Sequence, residues 1–161
     1  MAMKLPLKKR LKSREETIRD DLFSHYDRLN ELLDEAESRL LSLHVPKPVE
    51  HCYKRYAEGD SDIECYLGIH YYGGKKRLCW CSASQAEEYE LRNAGYDPTD
   101  TRFWNWKAVR DCSIEVRIEA VEYLEGLRDA ILEAQELFVP EVAEAIGELE
   151  AKLDQLGPAM S

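Results

Sequence analysis

The stretch IECYLGIHYYGGKKRLCWCS, residues 63–82, decides the fold. Ile63, Cys65, Leu67, Ile69 and Tyr71 alternate with Glu64, Tyr66, Gly68, His70 and Tyr72. A period of two belongs to a strand whose two faces meet different surroundings. Gly73-Gly74 supplies residues that tolerate the positive φ angles of a two-residue hairpin turn, so Arg77 to Ser82 is predicted to return antiparallel. With the turn placed there, Ile69 lies opposite Leu78, Leu67 opposite Trp80 and Cys65 opposite Ser82, on a face assigned to the core. The other face gathers Tyr66, Gly68, His70, Tyr72, Lys75, Arg77, Cys79 and Cys81. Its polar, aromatic character suits either cover by a helix or contact with a ligand.

Upstream of the hairpin, Ser13 and Glu16 form the S-x-x-E box in which each side chain satisfies a backbone N–H of the first helical turn. Leu22, Tyr26, Leu29, Leu33, Ala36, Leu40 and Leu43 then recur at steps of four and three, one stripe of a long helix. Val45-Pro46-Lys47-Pro48 cannot continue it, because each proline pushes its predecessor toward extended backbone. That stripe suits packing within the fold, with a homodimer through the N-terminal helix as the alternative to a monomer. Val49 to Tyr56 reads as an edge strand, followed by turn residues Gly59-Asp60-Ser61.

Downstream, Ser84 and Glu87 begin a short helix that Gly95 stops. Arg102 to Val109 alternates as a third strand would, or forms an aromatic loop. Ser113 caps a helix carrying Ala120, Leu124, Leu127, Ile131, Ala134 and Phe138 on one face. Pro140 is expected to end or kink it and to open a last helix with Val142, Ile146, Leu149, Leu153 and Leu156, closed by Gly157-Pro158. The predicted architecture is α+β: a small antiparallel sheet centred on the hairpin, packed by a long N-terminal helix and two C-terminal helices. Residues 15–157 form a single domain in this reading, after a basic, flexible N-terminal tail over 1–14.

Charge narrows the function. Charged residues make up 34% of the chain, above the roughly 25% usual for globular domains, and the net charge of −10 argues against general affinity for nucleic acid. The charge is uneven: Lys4, Lys8, Lys9, Arg10, Lys12 and Arg14 open the chain without an acid, whereas from Glu115 to Asp154 acids far outnumber Arg117, Arg128 and Lys152. Basic residues interrupt the first apolar ones before a signal-peptide core forms, and no run approaches the ~20 apolar residues of a membrane-spanning helix. Cys52, Cys65, Cys79, Cys81 and Cys112 then read as reduced thiols, and the expected location is cytoplasmic.

Catalytic chemistry has little support in the motifs. Cys79 and Cys81 share a strand face with His70, and His51-Cys52 lies upstream, yet the paired knuckles of a structural zinc site are missing, so no metal or cofactor is assigned. A Cys–His nucleophile from the same residues is weakly signalled, since free cysteines usually act as small apolar fillers. There is no phosphate loop, dinucleotide fingerprint, nucleophile elbow or H-E-x-x-H. No catalytic residue is named. The leading expectation is a non-enzymatic interaction or regulatory module whose acidic helix, through Glu119, Glu122, Asp129 and Glu133, receives a protein partner with a basic surface. Central aromatics and cations, Tyr66, His70, Tyr72, Arg77, Trp104 and Trp106, complete the candidate binding residues. Nucleic-acid binding through the basic arm and hairpin cations is one alternative, and a small-molecule protein or enzyme using an aromatic pocket is another.

Overall fold

The computed structural model describes residues 12–159. Most of the basic stretch expected as a tail, residues 1–11, lies outside them, and its last residue, Arg14, already opens the first helix. Helix α1 spans Arg14–Leu41. Strands β1 (Val49–Glu58), β2 (Ser61–Tyr72) and β3 (Lys75–Ser84) follow, then α2 (Gln85–Asn93), a loop with two single 3₁₀ turns around β4 (Lys107–Ala108), and α3 (Ile114–Leu156). The sheet is antiparallel with strand order β1-β2-β3-β4, so the fold is α+β. Among the described residues no helix is long and apolar enough to cross a membrane.

The hairpin register follows from the Gly73-Gly74 turn, where both glycines take positive φ (62° and 84°). Ile69 pairs with Leu78, Leu67 with Trp80 and Cys65 with Ser82. Leu67, Ile69 and Leu78 are at most 2% exposed and meet Leu33 and Leu40 of α1 and Ala120, Leu127 and Ile131 of α3. Tyr53 ties the layers together: its hydroxyl accepts from Trp80 Nε1 at 2.8 Å while its ring stacks on Tyr123 of α3 at 4.5 Å. Both helices therefore cover one face of the sheet.

Ser13 and Glu16 cap α1 reciprocally, as their spacing requires. The helix is clamped to β3 by Glu37, whose carboxylate accepts from Arg77 Nε at 3.1 Å and from the Leu78 N–H at 2.8 Å. Arg117 of α3 donates to Asn30 of α1 at 2.6 Å, and Gln135 donates to the His44 carbonyl just beyond α1 at 2.7 Å. The two helices thus run in the same direction, and their overlap ends near Gln135.

One expectation needs correction, and two open readings are decided. The C-terminal part is one helix of 43 residues that continues through Pro140 rather than two helices. Proline removes the bond to the Glu136 carbonyl, but Glu136 is solvent-exposed and water can satisfy that oxygen, while Glu, Ala and Leu on either side favour helix. Of the two readings of Arg102–Val109, the aromatic loop holds: only Lys107–Ala108 is strand, pairing with Cys79 and Trp80, while Trp104 and Trp106 turn their indole N–H groups back to the Pro98 and Thr101 carbonyls. The second face of the hairpin divides: around His70 the aromatic loop covers it, with Cys79, Cys81 and Trp106 forming a small separate core, and around Tyr66 it stays open beside α2.

Candidate functional site

The loop divides the aromatic face into a sealed part and an open part. In the sealed part, the Trp106 ring stacks on His70 at 4.0 Å, and a Cβ on Gly68 would lie 3.1 Å from that indole, so glycine is what lets the ring reach the strand. His70 is 3% exposed and its Nε2 faces Glu50 at 3.0 Å. Tyr72 is half-buried against the same cluster. Arg77 is held by Glu37. Of the two uses open to this face, packing and ligand contact, these four candidates serve internal packing and pairing in the structure.

Open to solvent beyond Tyr66 is a cleft of ≈690 Å³ between the β2–β3 surface, α2 and the loop. Tyr66, Tyr96, Phe103 and Trp104 supply its aromatic surface. Tyr66 meets Trp104 edge-on at 5.0 Å, and Tyr96 leans on Phe103 at 4.7 Å. The loop that carries three of these rings is pinned by its own side chains. Thr99 donates from backbone and hydroxyl to Asp97, holding that carboxyl below its ordinary pKa, and Asp100 is lowered likewise by Arg102.

Asp62, Glu64, Glu87, Glu88 and Glu90 ring the cleft, and no Lys or Arg lines it among the described residues. Arg55 reaches Glu64 at 3.7 Å and Arg92 reaches Glu88 at 3.6 Å from outside the lining. The Tyr66 hydroxyl donates to Glu64, and burial, followed by that carboxylate, raises its pKa and keeps it a neutral donor. Asp62 and Glu64 share the even-numbered face of β2 with Tyr66, so their place was readable from the period of two. Tyr96 and Phe103 carried no such signal, since only the folded loop brings them to α2.

The acidic helix face is differently placed than its spacing suggested. Glu119 accepts from Lys54 of β1 at 3.0 Å, and Gly126, about two turns further along the same line, lies against the His51 ring. The line overlooks β1, and Lys54 of this same chain answers Glu119. Glu122, Asp129 and Glu133 remain exposed.

Thiol chemistry finds no geometry here. Cys79 points to the His70 carbonyl at 3.9 Å and not to its imidazole. Burial pushes the Cys79 and Cys81 thiols up to about 12, which suppresses the thiolate a nucleophile needs. Among the described residues no group of three or more His, Cys, Asp or Glu is arranged to hold a metal. The hairpin cations are partly engaged too, since Lys76 donates to the Val45 carbonyl at 2.7 Å. Compared with known proteins, the chain matches no protein family, curated protein or solved structure at a significant level.

Proposed function

We propose that this protein is a non-enzymatic interaction module whose acidic, aromatic cleft receives a cationic segment of a protein partner. One observation carries the reading: a ≈690 Å³ cleft combines four aromatic side chains with five carboxylates and has no cation in its lining. A Lys or Arg side chain suits both parts. Its charge is attracted to the carboxylates and to the face of an aromatic ring, where a cation gains about 0.5 to 2 kcal/mol, most over tryptophan. Its methylene stem packs against the ring edges. Asp62, Glu87 and Glu90 have no ion-pair partner among the described residues, so a guest cation would not need to displace a resident one.

This reading keeps the expected partner, a protein with a basic surface, and moves its docking place from α3 to the cleft. Glu122, Asp129 and Glu133 then contribute only to the long-range field. The test is fluorescence polarisation with a labelled Lys/Arg-rich peptide, an otherwise identical trimethyl-lysine version and a Glu-rich control. Saturable binding of the cationic peptides that weakens with salt, and weakens about tenfold in Trp104→Ala, supports the cleft, a factor matching the ~1.4 kcal/mol of one cation–π contact. Equal binding by the variant, or equal binding of the Glu-rich control, removes the proposal.

A further inference from the structure

The outer half of α3 carries an apolar row with no described residue packed against it. Val139, Val142, Ile146, Leu149, Leu153 and Leu156 are between 42% and 73% exposed, and every described residue from Val139 onward is exposed. Their steps of three and four place them on successive a and d positions of a heptad without interruption. The similarly spaced row of α1 differs: Leu33 and Leu40 are buried in the protein's own core. A helical arm without tertiary contacts is marginal in water, since most helix stability comes from packing an amphipathic face.

The geometry points to a second copy of this chain as what covers the row, the two α3 arms packing antiparallel about a twofold axis between residues 147 and 148. In an antiparallel pair each a residue meets a d residue of its partner. Val139 then meets the partner's Leu156, Val142 the partner's Leu153 and Ile146 the partner's Leu149. Every member of the row finds an apolar counterpart, as a self-complementary twofold interface requires.

The flanks fit the same alignment. Ala143 and Ala145 border the row and let the helices approach, while Glu150 and Lys152 fall beside the partner's alanines, so no like charges face each other across the seam. The remaining acids, such as Glu144 and Glu148, lie on the outer face. A parallel pairing would set two arms of the same sign in register and crowd both sheets at one end. The antiparallel pairing separates the sheets and opposes the helix dipoles. Complete cover of these six side chains, 42% to 73% exposed, on both arms removes on the order of 1,000 Å² in total, about the threshold for a specific interface.

Sedimentation of the full chain at micromolar concentration is expected to give the mass of two chains. Ile146→Lys/Leu149→Lys should sediment as one chain, its dissociation constant raised by at least about a hundredfold, with the far-ultraviolet spectrum and core melting transition retained because the arm lies outside the core. A one-chain mass for the unaltered protein, or a two-chain mass for the double lysine variant, overturns the proposal. For the alignment, Val142→Cys/Leu153→Cys should oxidise to a covalent dimer, whereas either single variant should not. Equal cross-linking by a single variant refutes the antiparallel register. Removal of residues 1–11 should leave the two-chain mass intact, and its loss would make the basic stretch the occupant instead.

Discussion

Replacing Glu37 by alanine should lower the stability of the fold by about 3 kcal/mol, most of it through a single strand edge. Strand β4 covers only Cys79 and Trp80, so among the described residues the Leu78 N–H on the same side of β3 has no neighbouring strand to donate to. Glu37 accepts a hydrogen bond from that N–H at 2.8 Å and another from Arg77 Nε at 3.1 Å, with the Arg77 and Glu37 side chains 22% and 17% exposed. A hydrogen bond to a charged group is worth about 1.5 to 3 kcal/mol when shielded, and an exposed ion pair less than about 1 kcal/mol. Partial exposure puts the Arg77 contact near the lower value and leaves about 2 kcal/mol for the Leu78 N–H, which loses its acceptor. For a domain of this size the sum corresponds to a fall in melting temperature of roughly 6 to 12 °C, measured by circular dichroism or calorimetry. Glu37→Gln keeps an acceptor without the charge and should lose about half as much. In a double-mutant cycle, Glu37→Ala and Arg77→Ala should couple by about 1 kcal/mol. A shift below about 2 °C for Glu37→Ala would mean that water serves the strand edge as well as the carboxylate does, and the clamp would then contribute nothing.

Other consequences can be checked on the same protein. Leu67→Asp should cost about 3 to 5 kcal/mol by burying an unpaired charge, whereas Tyr66→Asp, at the edge of the cleft, should be far milder; comparable denaturant midpoints would contradict the observed register. Gly68→Ala should destabilise by about 1 to 3 kcal/mol, because its Cβ would meet the Val49 carbonyl oxygen at 2.9 Å and the stacked His70 and Trp106 rings; an unchanged midpoint would show that the loop yields. In the folded protein a thiol alkylating reagent at mildly alkaline pH should label Cys52 well ahead of the four buried cysteines, and rapid labelling of Cys79 or Cys81 would refute their burial. Stability should also fall on the alkaline side. Unfolded thiols titrate near 8.5 but Cys79 and Cys81 only at about 12, so above pH ~8.5 the unfolded chain holds fewer protons and is favoured. The stabilisation is complete below that pH and lost as pH rises toward 12. Denaturant midpoints that stay flat across that window, or that respond identically in Cys79→Ala/Cys81→Ala, would contradict it.

What the sequence determined by itself is local and periodic. Ser13 with Glu16, and the alternation of residues 63–72 around Gly73-Gly74, sufficed for the long first helix, the hairpin and its register, because capping and cross-strand pairing act between residues close along the chain. The α+β class followed, and Leu67, Ile69 and Leu78 could be assigned to the core from their parity alone. Asp62, Glu64 and Tyr66 were equally open to that reading. The rest depended on what comes to lie beside what. Parity marked His70 as polar and available, yet the same face is sealed where Trp106 folds back over Gly68, a contact between residues 38 apart that no period encodes. Spacing put Glu119 on an acidic line, but only the packing of α3 on β1 sets Lys54 opposite it. Pro140 was a local stop signal that lost to the helical preference of its neighbours and to solvent, which can reach the Glu136 carbonyl it leaves unpaired. Tyr96 and Phe103 become walls of a cleft only through the loop that carries them to α2, since a cavity is a relation between distant segments and has no signature in any one of them.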